Sequence, residues 1–191
     1  GIRDRDVTGV QTCALPILMV LEMDVHDVFL QPGEIHFGGA NTRIRTVLGS
    51  CVALSVWHPV KRLGGLSHCL LPSSGRPGAP VDFDGHYVDE AVPWLMREIA
   101  RCGTRAEDYE IKLFGGGNMF RRTGTSNYAD IGRKNVEMTD RLLKSLGLST
   151  HVRDVGGEVS RSLIFEVATG DVWVRRGVVE SVTPNDRAIT E

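Results

Sequence analysis

The chain lacks an excess of either charge, a long apolar run and a dense set of cysteines, and each absence removes a class of function. Its 22 Lys and Arg face 24 Asp and Glu, for a net charge of −2. That balance gives no electrostatic case for nucleic acid or for an anionic membrane surface. No apolar stretch approaches the ~20 residues that span a bilayer, so no membrane insertion is expected. The apolar residues 13–21 are interrupted by Pro16, and Glu22 and Asp24 follow where a signal peptide would need small residues. The four cysteines (Cys13, Cys51, Cys69 and Cys102) form no C-x-x-C pair and no disulfide scaffold, a pattern that suits a reducing cytoplasm. The glycine run at 115–118 lacks the Gly-Lys-Ser/Thr ending of a phosphate loop. Cys51, His68 and Cys69 have no fourth ligand at a familiar spacing, so neither a metal nor another cofactor is expected. There is no internal repeat.

What remains is the composition of an ordinary globular protein, 41% hydrophobic and 24% charged over 191 residues, enough for one domain with a sizeable core. Residues 7–17 read VTGVQTCALPI, which resembles the frame translation of a common sequencing adapter. Residues 1–18 are therefore set apart as a non-native or disordered extension, 19–177 are read as a single domain, and 178–191 as a polar tail.

Strand-like segments are expected at 25–37, broken by a turn at 31–33, and at 42–48, 51–57, 62–71, 110–114, 149–155, 162–167 and 171–175. Apolar positions Val88, Ala91, Val92, Leu95 and Ile99 recur at helical spacing, predicting a helix over 87–100. A second helix is predicted over 131–146, with Asp130 as its cap, Gly147 as its close, and Gly132 and Asn135 near its start as packing residues. Strands outnumber helices and hairpins dominate. The fold class is α+β, a layered sandwich of mostly antiparallel sheet with helices packed outside.

The chemistry concentrates on two residues. The polar stretch His58-Pro59-Val60-Lys61 reads as a four-residue loop between two apolar, β-favouring runs. If Trp57 faces Arg62 across it, partner numbers sum to 119 and Cys51 falls opposite His68. Directly opposed residues share a face with Cβ atoms ~5 Å apart. A thiol and an imidazole so placed can exchange a proton and make a thiolate nucleophile. The competing role for Cys51 is simple core packing, and a one-residue slip would put the pair on opposite faces. Gly49 and Ser50 precede Cys51 where a tight turn would leave amide N–H groups free to hold an oxyanion. Cys69 and Cys102 are read as structural.

The segments TVLGSCVALSVW, GGLSHCLLP, KLFGGGNMF and IGRKNV, in this order and spacing, resemble the chemoreceptor glutamine deamidases, the CheD family. LQPGE at 30–34 and DVGGEVSRSLIFEVATGDV at 154–172 extend the resemblance to roughly 27–175. It implies a layered α/β/α-like sandwich and a cytoplasmic enzyme of bacterial chemotaxis. Such an enzyme converts specific receptor glutamines to glutamate through a Cys51 thioester, with His68 as base. It also implies Thr46 as the third catalytic group, and Gly116 and Asn118 as support beside the cleft. The implied partners are chemoreceptor cytoplasmic domains, with the phosphatase CheC as a further candidate. The alternative reading is a CheD-like adaptor that binds receptors or CheC with little chemistry of its own.

Overall fold

A computed structural model of the chain describes residues 24–76, 82–119 and 130–178. The expected extension at 1–18 lies outside these residues, as does the expected tail apart from Val178, which closes the last strand. Nine strands run β1 (His26–Phe29), β2 (Ile35–Gly38), β3 (Thr42–Leu48), β4 (Val52–His58), β5 (Leu63–Ser67), β6 (Glu110–Gly115), β7 (Val152–Val155), β8 (Val159–Glu166) and β9 (Val172–Val178). Helix α1 (Val88–Arg101) falls between β5 and β6, and α2 (Ile131–Ser145) between β6 and β7.

The strands form two sheets, ordered β1-β3-β8-β9 and β2-β5-β4-β6-β7. Pairing is antiparallel except for β1 with β3 and β6 with β7. In β3 the alternation is direct. Thr42, Ile44, Thr46 and Leu48 are buried, while Arg45 and Val47 face solvent, the period of two that a half-buried strand imposes. The inward residues meet Ala53, Leu66 and Phe114 of the second sheet, with Leu163 and Phe165 of β8, in a core between the sheets. The opposite face of β4 (Val52, Leu54, Val56) packs under Val88, Ala91, Val92, Leu95 and Ile99 of α1 and Leu143 of α2. These are the helical-spacing residues of the sequence, now explained as the buried stripe of α1. The layers therefore run helices, sheet, sheet. Both helices sit on one outer face, rather than on either side of a sheet as an α/β/α order would have it. Both β4 and β5 are thus covered on two faces, which is why the two runs on either side of the turn at 59–62 read as largely apolar sequence.

Candidate active site

The turn joining β4 to β5 sets the register of the site. β4 continues through His58, which is buried and packs its ring edge-on against Tyr109, centroids 5.0 Å apart. His58 Nδ1 accepts the backbone N–H groups of Val60 and Lys61, both at 3.3 Å. The turn therefore occupies 59–62, with Arg62 in the left-handed region at φ +50°. His58 pairs with Leu63 and Ser55 with Leu66, and the register continues to the Val52–Cys69 bridge. Partner numbers sum to 121, not 119. Cys51 accordingly is not opposite His68; Ala53 takes that position and Cys51 lies on the diagonal. The displacement is two residues, an even number, so the thiol and the imidazole still project from one face. Diagonal neighbours stand about 7–8 Å apart, within reach of a long or aromatic side chain.

That shared face looks into the space between the sheets. His68 is 2% exposed, whereas Cys51 is only partly buried. From the facing sheet, Thr46 Oγ1 lies 2.7 Å from His68 Nδ1 and donates to the Leu30 carbonyl at 3.0 Å. A hydroxyl has one proton. Because that proton goes to Leu30, Thr46 can only accept from His68, so Nδ1 carries the hydrogen and Nε2 keeps its lone pair. Nε2 is buried and makes no hydrogen bond to any described residue. Burial lowers the His68 pKa below that of a free imidazole, partly countered by the Leu30 carbonyl and the Glu34 carboxylate. Burial also raises the Cys51 thiol, opposed by a hydrogen bond from its own backbone N–H. Both shifts favour the uncharged forms. Those forms are a thiol and a neutral imidazole rather than an ion pair.

The backbone around Cys51 is held by the glycine turn after β6. Gly116 N–H donates to the Cys51 carbonyl at 2.7 Å and Gly117 N–H to the Gly49 carbonyl at 2.9 Å. Gly116 adopts φ +63°, where a side chain would be strained, and a Cβ on it would come within 2.6 Å of Val136 Cγ2. Asn118 anchors the turn to the loop before β8 through its N–H to the Gly157 carbonyl, 2.7 Å. Gly116 and Asn118 also line a cavity of about 390 Å³ with Asp130, Arg133 and Gly156. Met119 lies over Gly49, where an added Cβ would stand 3.1 Å from its Cγ.

The structure thus brings together Cys51, His68, Thr46, Gly49, Ser50 and Gly116, with Asn118 one step removed. Cys69 points to the helix layer, wholly buried, its thiol pushed up to about 12 by desolvation. Cys102 caps the end of α1 and is exposed. No three His, Cys, Asp or Glu among the described residues gather as a metal site. Two participants are not identified as such by the sequence, one of them Asn135, which is read there as a packing residue. The Leu30 carbonyl carries no side-chain signal. Asn135 donates through Nδ2 to the carbonyls of Ser50 (3.3 Å) and Leu70 (2.8 Å). Its signal was available: a polar residue on the buried stripe of α2, beside Thr139 and Leu143.

Comparison with known proteins bears on this site. A family model described as CheD chemotactic sensory transduction matches residues 70–176. A Dechloromonas aromatica protein named "Probable chemoreceptor glutamine deamidase CheD 3" is 45% identical over 152 residues, 79% of this chain and 88% of the relative. A Chromobacterium violaceum protein, "Probable chemoreceptor glutamine deamidase CheD 1", is 38% identical over 149 residues, 78% of this chain and 77% of its own. A Pseudomonas savastanoi pv. phaseolicola protein named "Probable chemoreceptor glutamine deamidase CheD" is 39% identical over 159 residues, 83% of this chain and 89% of the relative. Positions 51 and 68 precede the family-model match, but alignments covering this much of 191 residues necessarily include both.

Proposed function

This chain belongs to the CheD family, and from that membership we propose that it is a cytoplasmic protein-glutamine deamidase that converts glutamine side chains of chemoreceptors to glutamate, with Cys51 as nucleophile, His68 as base and Thr46 as the group that orients the base. The functional unit is residues 19–177. The observation that carries this reading is the Leu30–Thr46–His68 relay, which leaves the Nε2 lone pair on the face shared with a partly exposed thiol.

The geometry supports an acyl transfer. As the substrate carboxamide enters, His68 Nε2 takes the Cys51 proton and the sulfur attacks the carbonyl carbon. The oxyanion so formed is held by backbone N–H donors at 49–51. The imidazolium then protonates the departing ammonia, leaving a thioester. Water, deprotonated by Nε2, cleaves the thioester, releasing the carboxylate while the thiol regains its proton. Nδ1–H stays on Thr46 throughout, so the developing imidazolium is stabilised without the ring turning. The lowered His68 pKa keeps the base free at neutral pH. The raised Cys51 pKa means that the thiolate forms during attack rather than before it.

The test is mass spectrometry of receptor cytoplasmic fragments incubated with the wild-type chain or with Cys51→Ala. Amide-to-acid conversion confined to the wild-type sample is the expected result; conversion by both, or by neither, rejects the mechanism. CheC remains a proposed partner, and its co-purification with the full chain would be the corresponding measurement.

A further inference from the structure

We propose that Asn135 is a positioning residue that turns the Cys51 N–H into the space between the sheets, toward the thiol and the oxyanion formed there. The inference rests on the reading of Cys51 as nucleophile. Asn135 is wholly buried on α2, and its Nδ2 faces two carbonyl oxygens, Ser50 at 3.3 Å and Leu70 at 2.8 Å. Carbonyls only accept, so the amide orientation is unambiguous: the NH₂ faces the two carbonyls. One of these carbonyls immediately precedes Cys51 and the other lies two residues past His68. One side chain therefore ties together both segments of the site.

The Ser50 carbonyl and the Cys51 N–H belong to a single peptide unit. In a trans peptide the two point in opposite directions. Asn135 approaches from the helix side of the sheet, where Val136 and Leu143 of α2 pack. Fixing the carbonyl toward α2 turns the N–H toward the space between the sheets, the side that holds the thiol. An N–H turned to that side favours the thiolate, in line with the way the Cys51 N–H opposes the rise in thiol pKa. The strand ladder leaves this N–H available, because β4 begins at Val52. The helix itself is seated against the same backbone: a Cβ on Gly132 would lie 2.6 Å from the Gly116 carbonyl oxygen. Asn135 Oδ1 has no hydrogen-bond partner among the described residues. An apolar residue would fill the position without a buried unpaired carbonyl, so the donor, not the packing, explains the asparagine.

The experiment follows iodoacetamide alkylation of Cys51 against pH in the full chain, site by site by mass spectrometry, with exposed Cys102 as the internal reference. Asn135→Ala removes the amide; Asn135→Leu keeps about its size and removes the donor. In both variants the rising limb of the Cys51 profile moves to higher pH, and the rate at pH 7 relative to Cys102 falls roughly threefold. A purely structural asparagine would lower the melting temperature and leave the profile in place. An unmoved profile in either folded variant overturns the inference, and so does failure of both variants to fold, which would assign Asn135 to the core alone. Because alkylation needs no receptor, a wild-type chain that deamidates nothing leaves this test intact.

Discussion

Thr46 has one proton and two neighbours, and that inequality fixes the protonation pattern of His68. With the hydroxyl proton on the Leu30 carbonyl, only the Nδ1–H tautomer of the ring satisfies Thr46. Thr46→Val keeps the shape and removes the acceptor. The ring then loses both its tautomer preference and its anchor, and deamidation slows on the order of a hundredfold. Thr46→Ser restores the hydroxyl and most of the rate. Steady-state kinetics on a receptor fragment should show the loss mainly in kcat, since Thr46 is 1% exposed and cannot touch substrate in the ground state; a loss confined to KM would contradict the relay. The resemblance of TVLGSC to its family points to Thr46, but nothing in the sequence says that its proton goes to Leu30. That bond joins residues sixteen apart through a backbone atom, and backbone acceptors leave no trace in residue identity.

At the scale of elements, the sequence was most legible where periodicity was strong. The α1 stripe, the α2 span and the alternation of β3 all lie within a residue or two of their expected bounds. Register was the weaker quantity. A loop placed one residue early moved the partner sum by two, because His58 looks like a turn residue yet is held in the strand by Tyr109 and by capping the turn it precedes. Parity rather than distance survives such an error, so the shared face of Cys51 and His68 could be read while their direct opposition could not. The parallel pairings of β1 and β7 and the one-sided helix layer were not legible, because both depend on contacts between distant segments. The contact between α2 and the glycine turn is of the same kind. A Cβ on Gly132 would stand 2.6 Å and 2.7 Å from Gly116 backbone atoms and 2.8 Å from the Gly117 carbonyl oxygen. Backbone cannot swing aside as a side chain does. Gly132→Ala is therefore expected to cost about 1–3 kcal/mol in urea unfolding. It should also slow Cys51 alkylation in the protein that remains folded, as α2 carries Asn135 away from Ser50. Unchanged stability would show that the helix seats less closely than the geometry requires.

For the whole molecule, the two-sheet sandwich encloses an imidazole whose neutral form burial favours, and this couples stability to pH. Burial holds the folded His68 pKa below its ordinary 6.5, and burial with the neighbouring His26 does the same for His36. In the interval between each lowered value and 6.5, the unfolded chain binds a proton that the folded chain refuses. The unfolded state then carries more protons, so stability rises with pH. The contribution is complete above 6.5 and is lost as pH falls through 6.5 toward the folded values. Melting temperature measured from pH 7.5 to pH 5 should therefore decline. His68→Gln, neutral at every pH, should flatten the decline, leaving the part that belongs to His36 and to the carboxylates. The two lowered histidines separate in a double variant with His36→Gln, since His36 lies on β2 and has no hydrogen bond to the Thr46 relay. The same protonation would remove the base proposed above, so deamidation should fail on the acid side at a pH below that of a free imidazole. Activity and stability would then decline together from one titration. An equally steep decline in His68→Gln would mean that the sandwich tolerates the charged ring, and that the proton lost from activity is not the one that weakens the fold.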